Sequence, residues 1–219
     1  QQAMDVLVPL LLVAAVVELS WSRWPIAPFW RHLIALLVML VFVGWMLYPI
    51  LSRKEMTGNL LTLGAVALFY LLLQQGIARA ADNRVQNALG LVLVAAAAPV
   101  FALDGTLKLA QFSGVLASGL GVIWVAGLLL RSDRFNVGRF NVGIVTPMMA
   151  TALYVAAQQY ADVNLLALLL ISFGAILVLS IRRWWVVESL WADNFRVVLL
   201  GVMPFAAALW LIWPQESMY

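Results

Sequence analysis

The 219 residues are 65% hydrophobic and 11% charged, against roughly 45–50% and about 25% in soluble domains. A water-soluble chain of this length could not hide so much apolar surface, because most of its residues would lie near the outside, whereas a lipid bilayer can receive it. The net charge of +3 is accounted for by basic residues at the cytoplasmic ends of membrane helices, which removes the case for nucleic acid as a partner, and the absence of cysteine excludes disulfides, Cys-ligated metal centres and thiol catalysis.

About 20 mainly apolar residues are needed to cross ~30 Å of hydrocarbon as a helix. Eight runs approach that length, at 6–21, 33–51, 59–77, 85–103, 107–130, 142–160, 164–181 and 197–213. They are apolar all round rather than alternating at period two, so the predicted fold is an all-α bundle of about eight transmembrane helices in one domain, or seven if the weak fourth run is lost or merged.

The first run has no basic stretch before it and reads as a retained helix rather than a signal peptide. It ends on Glu18, the most deeply placed acid in the chain. An ionisable group at that depth needs a partner, and Arg23, the single histidine His32 and Arg79 are the ones at its level. The third run ends on Gln74 and Gln75 and the sixth on Gln158 and Gln159; Asn87, Gln111 and Asn164 are further polar groups near run ends. Such amides serve as interhelical hydrogen-bond donors or as anchors at the membrane interface.

The fifth run is rich in small residues. Ala110, Gly114 and Ser118 recur every four positions, as do Ser113, Ala117 and Gly121. That spacing stacks them on one helix face and lets another backbone approach closely, which predicts a central packing helix or a face for a partner subunit. After it comes a tandem repeat, Arg134-Phe135-Asn136-Val137-Gly138 followed by Arg139-Phe140-Asn141-Val142-Gly143. It offers Arg134 and Arg139 to lipid phosphates with phenylalanines at the interface. The segment 184–195 places Trp184, Trp191 and Phe195 near one face beside Arg182, Arg183 and Trp185, and predicts a short interfacial helix in contact with lipid headgroups. Pro99 and Pro204 fall inside runs and act as shape.

Arg23 and Arg31, Arg79 and Arg84, Arg131, Arg134 and Arg139, and Arg182, Arg183 and Arg196 occupy alternate gaps between runs; the other gaps hold Arg53, Lys54 and Lys108. The positive-inside rule places the richer gaps in the cytoplasm and both termini on the other side, as in a bacterial inner membrane. Residues 194–215, a basic-flanked apolar run closing on Trp213-Pro214, resemble the final helix of bacterial membrane domains that precede an external transglutaminase-like domain. No residue role is carried over from that resemblance.

One histidine excludes bis-histidine haem ligation by this chain alone. No nucleotide loop or catalytic triad can be assembled, and no cofactor is expected. The leading expectation is a non-catalytic subunit of a larger membrane complex, serving assembly, scaffolding or lipid contact, with the bilayer and other membrane subunits as partners. A small-molecule transporter, or its substrate-binding subunit, is the alternative, with a mid-membrane cavity lined by Glu18, Gln74, Gln75 or Gln111. An integral enzyme acting on a lipid or lipid-linked substrate is the third, and needs Glu18, His32 and arginines gathered at the cytoplasmic face.

Overall fold

The computed structural model describes residues 2–23, 27–53, 55–80, 85–104, 106–130, 145–181, 184 and 187–213. These residues are almost wholly helical and contain no strand. In order they form α1 (Gln2–Arg23), α2 (Pro28–Leu51), α3 (Met56–Ala80), α4 (Gln86–Asp104), α5 (Leu107–Leu130), α6 (Val145–Tyr160), α7 (Leu165–Leu169), a π-helical turn (Leu170–Gly174), α8 (Ala175–Ile181) and α9 (Leu190–Ile212). α7, the π-turn and α8 run on as one rod, because the junction residues Leu170 and Ala175 keep helical dihedrals.

Local chemistry sets the ends. Pro28 opens α2 at the position where its missing N–H costs nothing. Thr106 caps α5, its Oγ1 accepting from the Leu109 N–H at 3.3 Å. α6 stops where Asp162 turns left-handed at φ 53; the Val163 N–H then reaches back to the Ala157 carbonyl at 3.3 Å, which satisfies an otherwise orphaned group. Two residues on, Asn164 caps α7 by accepting from the Leu166 N–H at 2.9 Å, while its own N–H is donated to Asp104 Oδ2 at 2.7 Å.

The rods alternate in direction. At one end the Asn59 amide nitrogen donates to the Leu51 carbonyl at 2.9 Å, the Tyr160 hydroxyl donates to the Met46 carbonyl, and Asn164 meets Asp104. At the other end His32 meets Gln74, and the Trp124 indole N–H donates to Asn194 Oδ1 at 3.0 Å.

α4 and α6 form the centre. α6 is buried through Thr146–Leu153 and on to Ala157 with little interruption, and α4 through most of 88–101. α6 touches α1, α2, α3 and α4, and α4 packs on α5, α9 and the π-turn. Around Tyr154 the rings of Phe69 and Phe101 lie at centroid distances of 6.4 and 6.1 Å, with Phe173 edge-on to Phe69 at 5.6 Å, a geometry that aromatic quadrupoles favour. α5 is peripheral, not central: Leu109, Ala110, Ser113 and Leu128 are its buried residues and α4 is its main neighbour, so it does not take the central place expected of it.

Single glycines make the closest helix contacts. A Cβ built on Gly174 would sit 2.6 Å from Pro204 Cβ, and one on Gly201 would sit 2.5 Å from Val92 Cγ1. Gly114 and Gly119, on the small-residue helix α5, have no atom within 4 Å of the same position.

Four helical stretches are long and apolar enough to cross a membrane: Phe29–Leu51, Met56–Ile77, Leu107–Leu130 and Leu190–Ile212. Asp5–Val17, Ala88–Asp104 and Leu165–Val178 are shorter apolar helices. Large apolar side chains such as Leu12, Val41, Leu61, Val122 and Leu199 face outward, and surfaces of this kind suggest a membrane protein. Exposed aromatics band both ends of the long helices. Trp30 and Tyr48 on α2, and Trp191 and Trp210 on α9, are separated by about 27 and 28.5 Å at ~1.5 Å rise per residue, close to the ~30 Å hydrocarbon thickness.

Of the predicted interfacial helix near 184–195, residues 187–189 are non-helical and 190–195 belong to α9, which begins at Leu190; 185 and 186 lie outside the described residues. Leu190, Trp191 and Val197 continue the apolar pattern of the last helix upstream, so Asp193, Asn194 and Arg196 lie within its first two turns rather than before it.

Candidate functional site

The polar residues singled out in the sequence divide among separate places. His32, in the first turns of α2, and Gln74, in the last third of α3, come together: Gln74 Nε2 lies 2.7 Å from His32 Nδ1. The tautomer of the ring decides which of the two groups donates. Gln74 is buried and His32 is exposed. The buried Gln74 Oε1 and Arg31 Nε have no hydrogen-bond partner among the described residues. Gln75 points outward from α3 and takes no part in this contact.

Glu18 and Arg79 belong to the last turns of α1 and α3, but their side chains lie outside the described residues. So do Arg134, Arg139, Arg182, Arg183 and Trp185. Trp184 is described and is almost fully exposed.

Gln111 stands at the opposite end of the bundle. α5 starts there, and its first turns face the start of α1 across an open groove of about 610 Å³ lined by Asp5, Val8, Pro9, Lys108, Gln111, Phe112 and Val115. On the other side of Asp5 a smaller cleft of about 200 Å³ runs against Trp45, Tyr48 and Pro49 of α2. Gln111 therefore stands at the other end of the bundle from Gln74.

The small-residue face of α5 is split. Ala110 is buried, the buried Ser113 hydroxyl donates to the Val94 carbonyl at 2.6 Å, and a Cβ on Gly121 would rest 3.8 Å from Leu91. These residues pack on α4. Ala117 is half-buried beside them. Gly114 has open space and Ser118 is exposed, turning its hydroxyl back to the Gly114 carbonyl at 2.9 Å.

Sequence reasoning missed the polar cluster at the start of α9. Asp193 and Asn194 are buried. Arg196 Nη2 donates to Asp193 Oδ1 in a close ion pair, and Asn194 accepts from Trp124 of α5 while donating to the Leu190 carbonyl at 2.9 Å. Asn194 ties the start of α9 to α5 through Trp124, while Asp193 and Arg196 pair within α9 itself. The available signal was Trp191, Asn194 and Val197 at helical spacing, which extends the last run backwards.

In the core, polar side chains bond helix carbonyls. The Tyr154 hydroxyl donates to the Leu93 carbonyl at 3.0 Å, and Ser172 donates to Leu168 at 2.7 Å. Among the described residues no three His, Asp or Glu side chains gather closely enough to hold a metal ion. Comparison with protein-family models, curated proteins and solved structures finds no match to this chain.

Proposed function

We propose that this chain is a non-catalytic, polytopic subunit of a larger membrane complex, acting through its lipid-facing and partner-facing surfaces. The observation that carries this reading is the close packing of α6 and α4: among the described residues both helices are buried along most of their length, and the hydroxyls of Ser113 and Tyr154 are taken up by the Val94 and Leu93 carbonyls. The grooves beside Asp5 are peripheral. A transporter or a lipid-modifying enzyme needs a central or face-wide polar cavity, whereas His32 with Gln74 and Gln111 stand at opposite ends. Purification in mild detergent is the test. A membrane protein partner in fixed stoichiometry is the expected result; a monodisperse, fully stable lone chain overturns the reading.

In this proposal the chain crosses a bacterial inner membrane eight times. The short helices α4 and α6 are sheathed by their longer neighbours, which satisfies the rule that only protein-covered or self-satisfied backbone lies at membrane depth. The arginine-rich end faces the cytoplasm and both termini lie outside. The chain has no native cysteine to give background labelling, so single introduced cysteines report sidedness. Ser52 and Ser189 are exposed and lie in turns at opposite ends. Ser52→Cys should react with a membrane-impermeant maleimide in intact cells, and Ser189→Cys only after permeabilisation. The reverse pattern would invert the topology, and labelling of both from outside would contradict the eight crossings.

A further inference from the structure

We propose that the groove between the starts of α1 and α5 binds one phospholipid whose headgroup carries a primary ammonium, of the phosphatidylethanolamine type. The groove lies at the end of the bundle where α1 and α5 begin and α2 ends. Its volume of about 610 Å³ falls within the ~300–1,000 Å³ of small-molecule sites. It opens sideways toward the apolar surface, as a lipid would require, since Val8 and Val115 at its rim are exposed.

Opposite charges face the groove from its two walls. Asp5 stands on α1, and Lys108 and Gln111 stand on the first turns of α5. Lys108 and the Gln111 amide offer N–H donors to a phosphate, and the positive end of the α5 dipole adds to them. Asp5 offers a carboxylate to a cation. It also offers a backbone carbonyl, because Pro9, four residues on and itself in the groove wall, has no N–H to give it. One wall therefore accepts and the other donates, which matches a zwitterion. A primary ammonium donates hydrogen bonds to both Asp5 acceptors; a quaternary ammonium cannot, and a glycerol headgroup brings no cation.

Below the headgroup the bed is apolar, formed by Pro9, Phe112 and Val115. Val115, Gly119 and Val122 continue down one stripe of α5 by helical spacing. Gly119 has no atom within 4 Å of its Cβ position and Val122 is exposed, so the stripe leaves an open track for an acyl chain.

This inference rests on the lipid-contact part of the proposed function, but its test uses the purified chain alone, so the presence or absence of a protein partner does not bear on it. Delipidated protein is titrated with phosphatidylethanolamine, phosphatidylcholine or phosphatidylglycerol in mixed micelles, and bound lipid is counted by native mass spectrometry. One phosphatidylethanolamine should be retained in preference to either of the others by about tenfold, the worth of a hydrogen bond to a charged group. Asp5→Asn removes the carboxylate charge but keeps neutral acceptors, so it should cut the preference over phosphatidylcholine to about twofold, and Lys108→Gln should weaken all three lipids. Equal retention of the three unmodified lipids, or a preference for phosphatidylglycerol, overturns the proposal without recourse to any variant. A phosphatidylethanolamine preference undiminished in Asp5→Asn overturns the assignment of the ammonium to the Asp5 carboxylate.

Discussion

Gly174→Ala lowers the thermal midpoint of the purified protein by roughly 6–12 °C, and Gly201→Ala lowers it by a somewhat smaller amount. The methyl added at position 174 would stand 2.6 Å from Pro204 Cβ and 3.9 Å from Pro204 Cα, where carbon atoms settle at about 3.5–4.0 Å. A proline ring is closed onto its own backbone and cannot rotate out of the way. Relief must come from moving α9 away from the π-turn, which also loosens the contact of Gly201 with Val92. Overpacking of this kind costs about 1–3 kcal/mol, and the rigidity of Pro204 puts Gly174 at the upper end; a midpoint shift of about 2–4 °C per kcal/mol applies at this chain length. At Gly201 the Val92 methyls lie at 2.5 and 3.2 Å, and its Cβ at 3.3 Å. A rotamer change removes the first contact but not the last, so the loss is smaller without vanishing. Gly44→Ala and Gly64→Ala serve as controls. Nothing lies within 4 Å of either new methyl, and removing glycine from a helix interior gains about 0.5–1 kcal/mol, so their midpoints should hold or rise. An unchanged midpoint in Gly174→Ala would mean that the π-turn and α9 do not approach this closely.

These glycines show where sequence reading reaches its limit. Helix positions were legible because a membrane run needs only length and the absence of charge, and prolines, Asn and Gly punctuate its ends; the fifth run, 107–130, coincides with α5. Which helix lies in the middle was not legible. Lipid tails are as apolar as leucine, so a helix facing lipid and a helix facing protein read alike. α6, with its methionines and alanines, is buried nearly all round, while the small-residue stripe that pointed to a packing core stands on the peripheral α5. The contacts that admit no side chain use isolated glycines, at 174 and 201, that belong to no repeating pattern. Charges behaved in the same way. A charge just before an apolar run reads as part of the preceding gap, so Arg196 falls outside the run 197–213 although α9 encloses it. His32 and Gln74 were each visible as candidates, but their meeting depends on α2 and α3 folding back over a separation of 42 residues. That depends on how the α2–α3 turn closes, with Asn59 tied to the Leu51 carbonyl.

The Asp193–Arg196 pair sets the second large effect. Asp193→Leu should destabilise the protein by about 3–5 kcal/mol, because it leaves the guanidinium in a buried site without the carboxylate it was paired with. Both side chains are close to full burial, at 8% and 11% exposure, so water cannot replace the lost partner as it does for an exposed pair. The carboxylate also lies in the first turn of α9, where the helix dipole favours a negative charge, and that contribution goes with it. Arg196→Leu should cost less, since the remaining Asp193 keeps its favourable place at the start of the helix dipole. The double variant Asp193→Leu/Arg196→Leu is the decisive member of the set. Replacing a buried ion pair by apolar side chains is often neutral, so the double variant should recover much of what Asp193→Leu loses, with a coupling energy of at least ~1 kcal/mol. The neighbouring bond from Trp124 to Asn194 involves neither substituted residue, so the indole N–H resonance of Trp124, assigned among the ten tryptophans by Trp124→Phe, should shift only where α9 moves against α5. If the two losses simply add, the pair is not a coupled buried unit. If the double variant recovers while the Trp124 signal stays native, the ion pair serves the placement of the α9 start at the arginine-rich end of the bundle rather than net stability. That is the expected division of labour for charges at the edge of an apolar helix.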